Sequence, residues 1–157
     1  MKIKSFSDLD HTILPWLGRT MKAMDYYVTD FFKSKGLELT KQQLIVLKVL
    51  SKNDGIVQNN LAFITNRDKT SLTRLIDTME KKDLVQRSIS EKDKRIKFVH
   101  ITAEGKRMQE AAMPIMNEIL DRVQTDIDQE DLDTTIKVLK QIGINIKVDE
   151  LIAPLKP

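Results

Sequence analysis

A chain of 157 residues, 41% hydrophobic and 31% charged, has room for one compact domain with a core of its own and reads as an ordinary globular sequence. It contains no cysteine, which excludes disulfides, thiol nucleophiles, thiol redox sensing and thiolate metal sites together. The net charge of +3 is small but unevenly spread. Residues 1–66 carry 9 basic and 6 acidic side chains, residues 67–107 carry 12 and 7, and residues 108–157 carry 5 and 10.

A basic middle followed by an acidic end suggests an anionic partner for the middle segment, although solvated charged faces give the same counts. The two histidines, His11 and His100, fall on different predicted elements and show no metal-ligand spacing. The longest aliphatic run, Leu44 to Leu47, is far too short to cross a bilayer. Met1 to Asp10 mixes Lys2, Lys4, Asp8 and Asp10 with apolar residues and lacks an apolar signal core, so a cytoplasmic location with no membrane partner is expected.

The first predicted element runs from about Leu9 to Lys35. Leu9, Ile13, Trp16, Leu17, Met21, Met24, Val28, Phe31 and Phe32 recur at intervals that make one broad apolar helical stripe. Pro15 either opens or kinks this helix, and Gly36 suits its C-terminal stop. Thr40 with Gln43 is a capping-box signature, opening a helix through Leu44, Leu47 and Leu50 that ends at Asn53-Asp54-Gly55. A short helix follows near Asn60 to Thr65. Asp68 then reads as the N-cap of a helix over 69–82, with Leu72, Leu75, Ile76 and Met79 as its buried stripe.

Beyond it the period changes. Leu84 to Ile89 and Ile96 to Ile101 alternate apolar with polar residues around the charged stretch Ser90 to Arg95, which predicts a β-hairpin. The helical period returns from Ala103 through Ile127, with Pro114 expected to bend it locally, and Asp128 caps a last helix over 129–142. The expected order is therefore four helices, a hairpin and two helices, a mainly α (α+β) fold with a winged helix-turn-helix layout.

In that layout the second helix of the motif enters the major groove of DNA, whose width accepts one helix. Opposite its apolar stripe the 69–82 helix presents Thr70, Ser71, Thr73, Arg74 and Asp77, with Lys69 in its first turn. Hydroxyls allow close approach to bases, and a guanidinium can fork onto guanine or clamp a phosphate. An ordinary polar helix surface has the same composition. The hairpin tip adds weight: Lys92, Lys94 and Arg95 around Asp93 suit the narrow, electronegative minor groove, with Asp93 placed to orient Arg95. A charged tip that protects a sheet edge is the alternative.

Three segments in this order carry a resemblance. Asp83-Leu84-Val85-Gln86-Arg87, then Asp93-Lys94-Arg95, then Ile101-Thr102-Ala103-Glu104-Gly105 resemble the G-L-V-x-R, D-x-R and L-T-x-x-G pattern of the MarR family of bacterial and archaeal transcription regulators. Gly36 to Gln43 and Asp128 to Leu132 resemble the segments that open that family's second and last helices, so the likeness runs from about Leu9 to Ile142. Asp83 stands at the family's usual glycine, where aspartate tolerates a left-handed backbone, and Lys94 stands at a frequent arginine.

The resemblance implies a single domain over 1–157, with a winged helix-turn-helix at 37–101 and dimerisation helices at 1–36 and 102–157. It implies a homodimer on a pseudo-palindromic operator, usually as a repressor, with double-stranded DNA as partner. The DNA-binding residues it implies are Lys69, Thr70, Ser71, Thr73, Arg74, Arg87, Asp93, Lys94 and Arg95. Arg95 would lie in the minor groove, with the wing at 90–96, and Arg87 near the backbone. Many members also bind a small aromatic or phenolic effector between dimer helices and reading head, for which Trp16, Met21, Tyr26 and Tyr27 are candidates here.

Independently, Ile136, Leu139, Ile142, Ile144, Ile146, Leu151 and Ile152 form more apolar surface than a small domain readily buries, which favours a shared interface over a cap on its own core. A winged helix that docks proteins is the rival reading, and it predicts little salt dependence. An enzyme ranks last: no GxGxxG, P-loop, GxSxG, metal cluster or Ser–His pair is evident, and no cofactor is expected.

Overall fold

The computed structural model of the chain describes residues 5–65 and 67–147. Among these, a short 3-10 helix, Phe6–His11, precedes α1 (Ile13–Ser34), α2 (Lys41–Lys52), β1 (Ile56–Val57), α3 (Gln58–Ile64) and α4 (Lys69–Lys81). The strands β2 (Val85–Ile89) and β3 (Lys97–Ile101) follow, then α5 (Ala103–Val123) and α6 (Gln129–Asn145). The fold is mainly helical, with one antiparallel sheet in the order β1-β3-β2.

Local chemistry explains most of these boundaries. Thr12, in extended conformation, separates the 3-10 helix from α1, so the first helix starts later than Leu9. Pro15 is the third residue of α1, where its missing N–H would have had no helical partner, so it opens the helix. At the other end Gly36, at φ +75, closes α1. The Leu37 amide donates to the Phe32 carbonyl at 2.9 Å and the Gly36 amide to Lys33 at 3.0 Å.

The C-terminus of α4 repeats this arrangement with Asp83, at φ 55, in the glycine position. There the Leu84 amide reaches Met79 and the Asp83 amide reaches Glu80, both at 2.9 Å. In each case the residue after the left-handed position, Leu37 or Leu84, drops into the core. The capping box of α2 is complete: the Gln43 amide donates to Thr40 Oγ1 at 3.2 Å, and the Thr40 amide donates to Gln43 Oε1 at 3.0 Å.

The third strand was not expected. Ile56–Val57 pairs antiparallel with Val99 and Phe98, and Asp54 Oδ1 accepts from the Ile101 amide at 2.8 Å, so the end of α2 is tied to the hairpin. Two residues are too few for an alternating pattern to show in sequence. Behind the sheet, α2 is the hub of the core. Val46, Leu47 and Leu50 are fully buried, as are Phe32 of α1, Leu61 of α3 and Ile76 of α4. Burial of each side chain of this size stabilises the fold by about 1.5–3 kcal/mol.

One junction is unusually tight. Thr102 caps α5 by accepting from the Gly105 amide at 2.9 Å, its hydroxyl donates to the Asp83 carbonyl, and its amide donates to Leu84 O at 3.2 Å. A Cβ on Gly105 would lie 2.1 Å from Leu84 O and 2.9 Å from Ile101 Cγ1. Backbone packs here on backbone, and only glycine fits. The C-terminal half of α5 meets α1, where Lys35 pairs with Glu118 at 2.6 Å and the Arg122 guanidinium lies 4.9 Å from the centre of the Phe31 ring. In contrast, α6 buries nothing: among its residues only Leu132, Ile142 and Gly143 are even half-buried. Leu151 and Ile152, grouped with its apolar residues above, lie outside the described residues.

Candidate nucleic-acid interface

Asp68 accepts from the Ser71 amide at 2.8 Å and so fixes where α4 begins. Leu72, Ile76 and Met79 then face the core, and Leu75 is half-buried beside them, which turns Lys69, Thr70 and Arg74 to solvent. These three side chains have no hydrogen-bond or ion-pair partner among the described residues. Ser71 and Thr73 are placed differently. Ser71 Oγ accepts from Arg67 Nη1 at 3.0 Å. Thr73 Oγ1 donates to Lys69 O at 2.8 Å and accepts from Gln58 Nε2 at 3.0 Å, so its one donor is used within the motif.

Arg87 does not present its guanidinium to solvent as a backbone contact would. From β2 it turns onto α4 and α3. Its Nε donates to Gln58 Oε1 at 2.9 Å and its Nη1 to Glu80 Oε2 at 2.8 Å. Its Nη2 reaches Asp77 Oδ1 at 2.6 Å and Thr73 O at 3.3 Å. The Arg87 side chain is 18% exposed. Glu80 also accepts from the Arg87 amide at 3.0 Å, so strand and helix are joined through both backbone and side chain.

The wing tip is an ordered turn. Ser90 Oγ accepts from the amides of Lys92 and Asp93, each at 3.3 Å, and the Ile96 amide donates to Asp93 O at 2.9 Å. Asp93 does orient Arg95, but by accepting from its backbone amide at 2.9 Å and not from its guanidinium. Lys92, Lys94 and Arg95 are all exposed. On the hairpin face, Ser88 Oγ lies 2.9 Å from His100 Nε2, and Asp54 Oδ2 lies 3.7 Å from His100 Nδ1. A Ser–His pair therefore exists, contrary to the expectation from sequence. It arises because Ser88 faces Phe98 in the register, which puts His100 on the adjacent diagonal of the same face.

An apolar cleft of about 370 Å³ opens between α1, α2 and α5. Met24 and Val28 of α1, Leu44 and Ile45 of α2, and Met116 and Ile119 of α5 line it, with Lys41 and Lys48 on the α2 side. Lys41 is paired with Asp25, whereas Lys48 is exposed and without a partner among the described residues. Trp16, Met21, Tyr26 and Tyr27 are not among the lining residues. They point away, at 61%, 61%, 65% and 38% exposure. The face of α1 that packs inward is the one carrying Met24 and Val28, and the stripe in the sequence was too broad to separate the two.

Sequence reasoning missed Gln58, Arg67 and Glu80. Only the spacing of Asp77 and Glu80 on one face of α4, ahead of a strand arginine, carried any signal for them.

Known proteins share this geometry. Residues 39–97 match the model of the MarR family. The transcriptional regulator HosA of Escherichia coli O157:H7 is 29% identical over 105 residues, which span 67% of this chain and 78% of HosA. HosA of Escherichia coli O127:H6 is 37% identical over 78 residues, 50% of this chain and 58% of that protein. A crystal structure of mutant MarR from Escherichia coli complexed with operator DNA superposes with a TM-score of 0.75 at 20% identity, over 83% of this chain and 92% of that one. The α2–α4 and hairpin arrangement, the match over residues 39–97 and these relatives converge: residues 39–97 of this chain resemble the MarR family and share its winged helix-turn-helix fold.

Proposed function

We propose that the protein is a DNA-binding transcription regulator, without enzymatic activity, that acts as a homodimer in the cytoplasm and represses by occupying a pseudo-palindromic operator. The observation that carries this is the pair of exposed basic elements on one frame. Lys69, Thr70 and Arg74 on α4 and Lys94 and Arg95 on the wing are solvent-facing and unpaired among the described residues. On a winged helix-turn-helix the helix enters the major groove and the wing the flanking minor groove. Ser71 and Asp93 hold these elements in shape, and Asp83 at its left-handed φ sets the path from helix to wing.

The homodimer is supported by α6, the end of α5 and the turn between them. Ile136 at 49%, Leu139 at 40%, Leu120 at 44% and Ile127 at 46% exposure leave an apolar surface that a lone subunit does not cover. The cleft supports a small aromatic or phenolic acid as effector, with an apolar floor for the ring and Lys48 for the acid.

Fluorescence anisotropy tests the proposal. Wild type, Arg74→Ala and Arg95→Ala are titrated with the promoter region of the protein's own gene and with a scrambled duplex, at several salt concentrations. Wild type is expected to prefer the promoter and to weaken steeply with salt, and both variants to lose that preference. Absence of binding to either duplex at low salt would overturn the DNA reading in favour of a docked protein. Addition of a phenolic carboxylic acid is expected to lower promoter affinity, and unchanged affinity at saturating acid would remove the effector.

A further inference from the structure

Arg87 is the most heavily bonded side chain of the reading head, and its bonds join three elements. Gln58 is the first residue of α3, Thr73, Asp77 and Glu80 lie on α4, and Arg87 itself lies on β2. A guanidinium offers five N–H donors in a fixed plane, so a carboxylate or amide acceptor on each edge defines the angle between the elements that carry them. Here Nε, Nη1 and Nη2 each meet an acceptor, at 2.9, 2.8 and 2.6 Å.

Two carboxylates against one guanidinium leave this cluster with a net negative charge, a poor ligand for phosphate. The same cluster orients neighbours that face DNA. Gln58 spends its Nε2 on Thr73 Oγ1 while its Oε1 holds Arg87, and Asp77, at the exposed edge of α4, is drawn back towards β2. An Asp77 freed from Arg87 would sit as an unpaired anion beside the groove.

We propose that Arg87 is a positioning residue for sequence reading. Through Gln58, Asp77 and Glu80 it fixes the angle between α4 and the wing and withholds Asp77 from the DNA, and it makes no contact with DNA itself. This rests on the DNA-reading function proposed above and deepens it. A contact residue and a positioning residue differ in what they change. Loss of a phosphate contact weakens all sequences alike and lowers the salt slope by about one. Loss of a fixed angle weakens the preferred sequence while the count of phosphate contacts stays the same.

The experiment begins by selecting a preferred duplex from a random pool with the wild-type protein. Wild type, Arg87→Gln, Gln58→Ala and Arg95→Ala are then titrated with the selected duplex and a scrambled one across a salt series, at a temperature where circular dichroism shows every variant folded. Arg87→Gln and Gln58→Ala are expected to lower the ratio of selected to scrambled affinity by about tenfold or more, the scale of a single base-pair mismatch. Their scrambled-duplex affinity and salt slope should equal those of wild type, whereas Arg95→Ala should lose slope.

If Arg87→Gln weakens both duplexes equally and its slope falls, Arg87 is a phosphate contact and the proposal is wrong. An unchanged ratio in both variants also overturns it. Gln58→Ala keeps both carboxylate pairs and therefore decides between the two roles even where Arg87→Gln melts too early to measure. A wild type that selects no sequence at all defeats the DNA reading itself, an outcome distinct from a wild type that selects while its variants keep their ratio.

Discussion

The helices α2 and α6 carry comparable amphipathic sequence and end in opposite states. Leu47 and Leu50 of α2 are completely buried, whereas Ile136 and Leu139 of α6 remain 49% and 40% exposed. The difference is in their neighbours. α2 lies under α1, α5 and β3, while α6 follows Asp128 away from the core and buries none of its described residues. An apolar stripe at helical spacing thus states that a face will be covered, but not whether the cover is supplied by the same chain. The winged helix-turn-helix is packed within the chain, whereas the apolar face of α6 is left exposed.

The largest effect should come from disturbing the packed half. Gly105→Ala would drive a methyl group into the Leu84 carbonyl and is expected to cost about 3 kcal/mol or more, measured by urea denaturation. A variant as stable as wild type would mean that α5 lifts off the sheet freely. A sharper test of the contrast is Ile136→Asp. In a chain that works alone, a substitution at so exposed a site changes stability by no more than about 0.5 kcal/mol. If α6 is an interface, sedimentation velocity should show the dimer falling apart while the circular dichroism of the head persists.

The smallest effect concerns the entry to α5. Hydrogen bonds from the Arg107 guanidinium hold the Glu104 carboxyl below its ordinary range, and the carboxylate raises Arg107 in return. A depressed carboxylate contributes stability that is present above its unfolded pKa and is lost as pH falls through the folded one. Glu104→Gln should therefore remove a slight loss of melting temperature on the acid side of the carboxylate range and change nothing near neutrality. An identical acid limb in both proteins would show that solvent screens the pair completely.

What was legible in the sequence was local. Thr40 with Gln43, Asp68 and Asp128 are caps whose partners lie three residues away, and each helix starts where its cap placed it. The two hairpin strands were legible from their alternation, and their bounds shifted by one residue. What was not legible depended on contacts distant in sequence. β1 exists only because β3, some 40 residues on, offers it an edge. Arg87 reads as one more basic residue until Gln58, 29 residues earlier, and Asp77, 10 earlier, are seen around it. The choice between the Trp16 and Met24 sides of α1 waited on where α2 and α5 lie.

Between the last residue of β3, Ile101, and the first of α5, Ala103, stands Thr102 alone, with its amide and hydroxyl both tied to the turn between α4 and β2. The chain has no slack there. At about 1.5 Å per residue α5 is a rod of roughly 31 Å, so one degree of tilt moves its far end by roughly half an ångström. Leu120 and Val123 sit at that far end, exposed. Whatever grips them takes hold of a lever whose short arm is the wing.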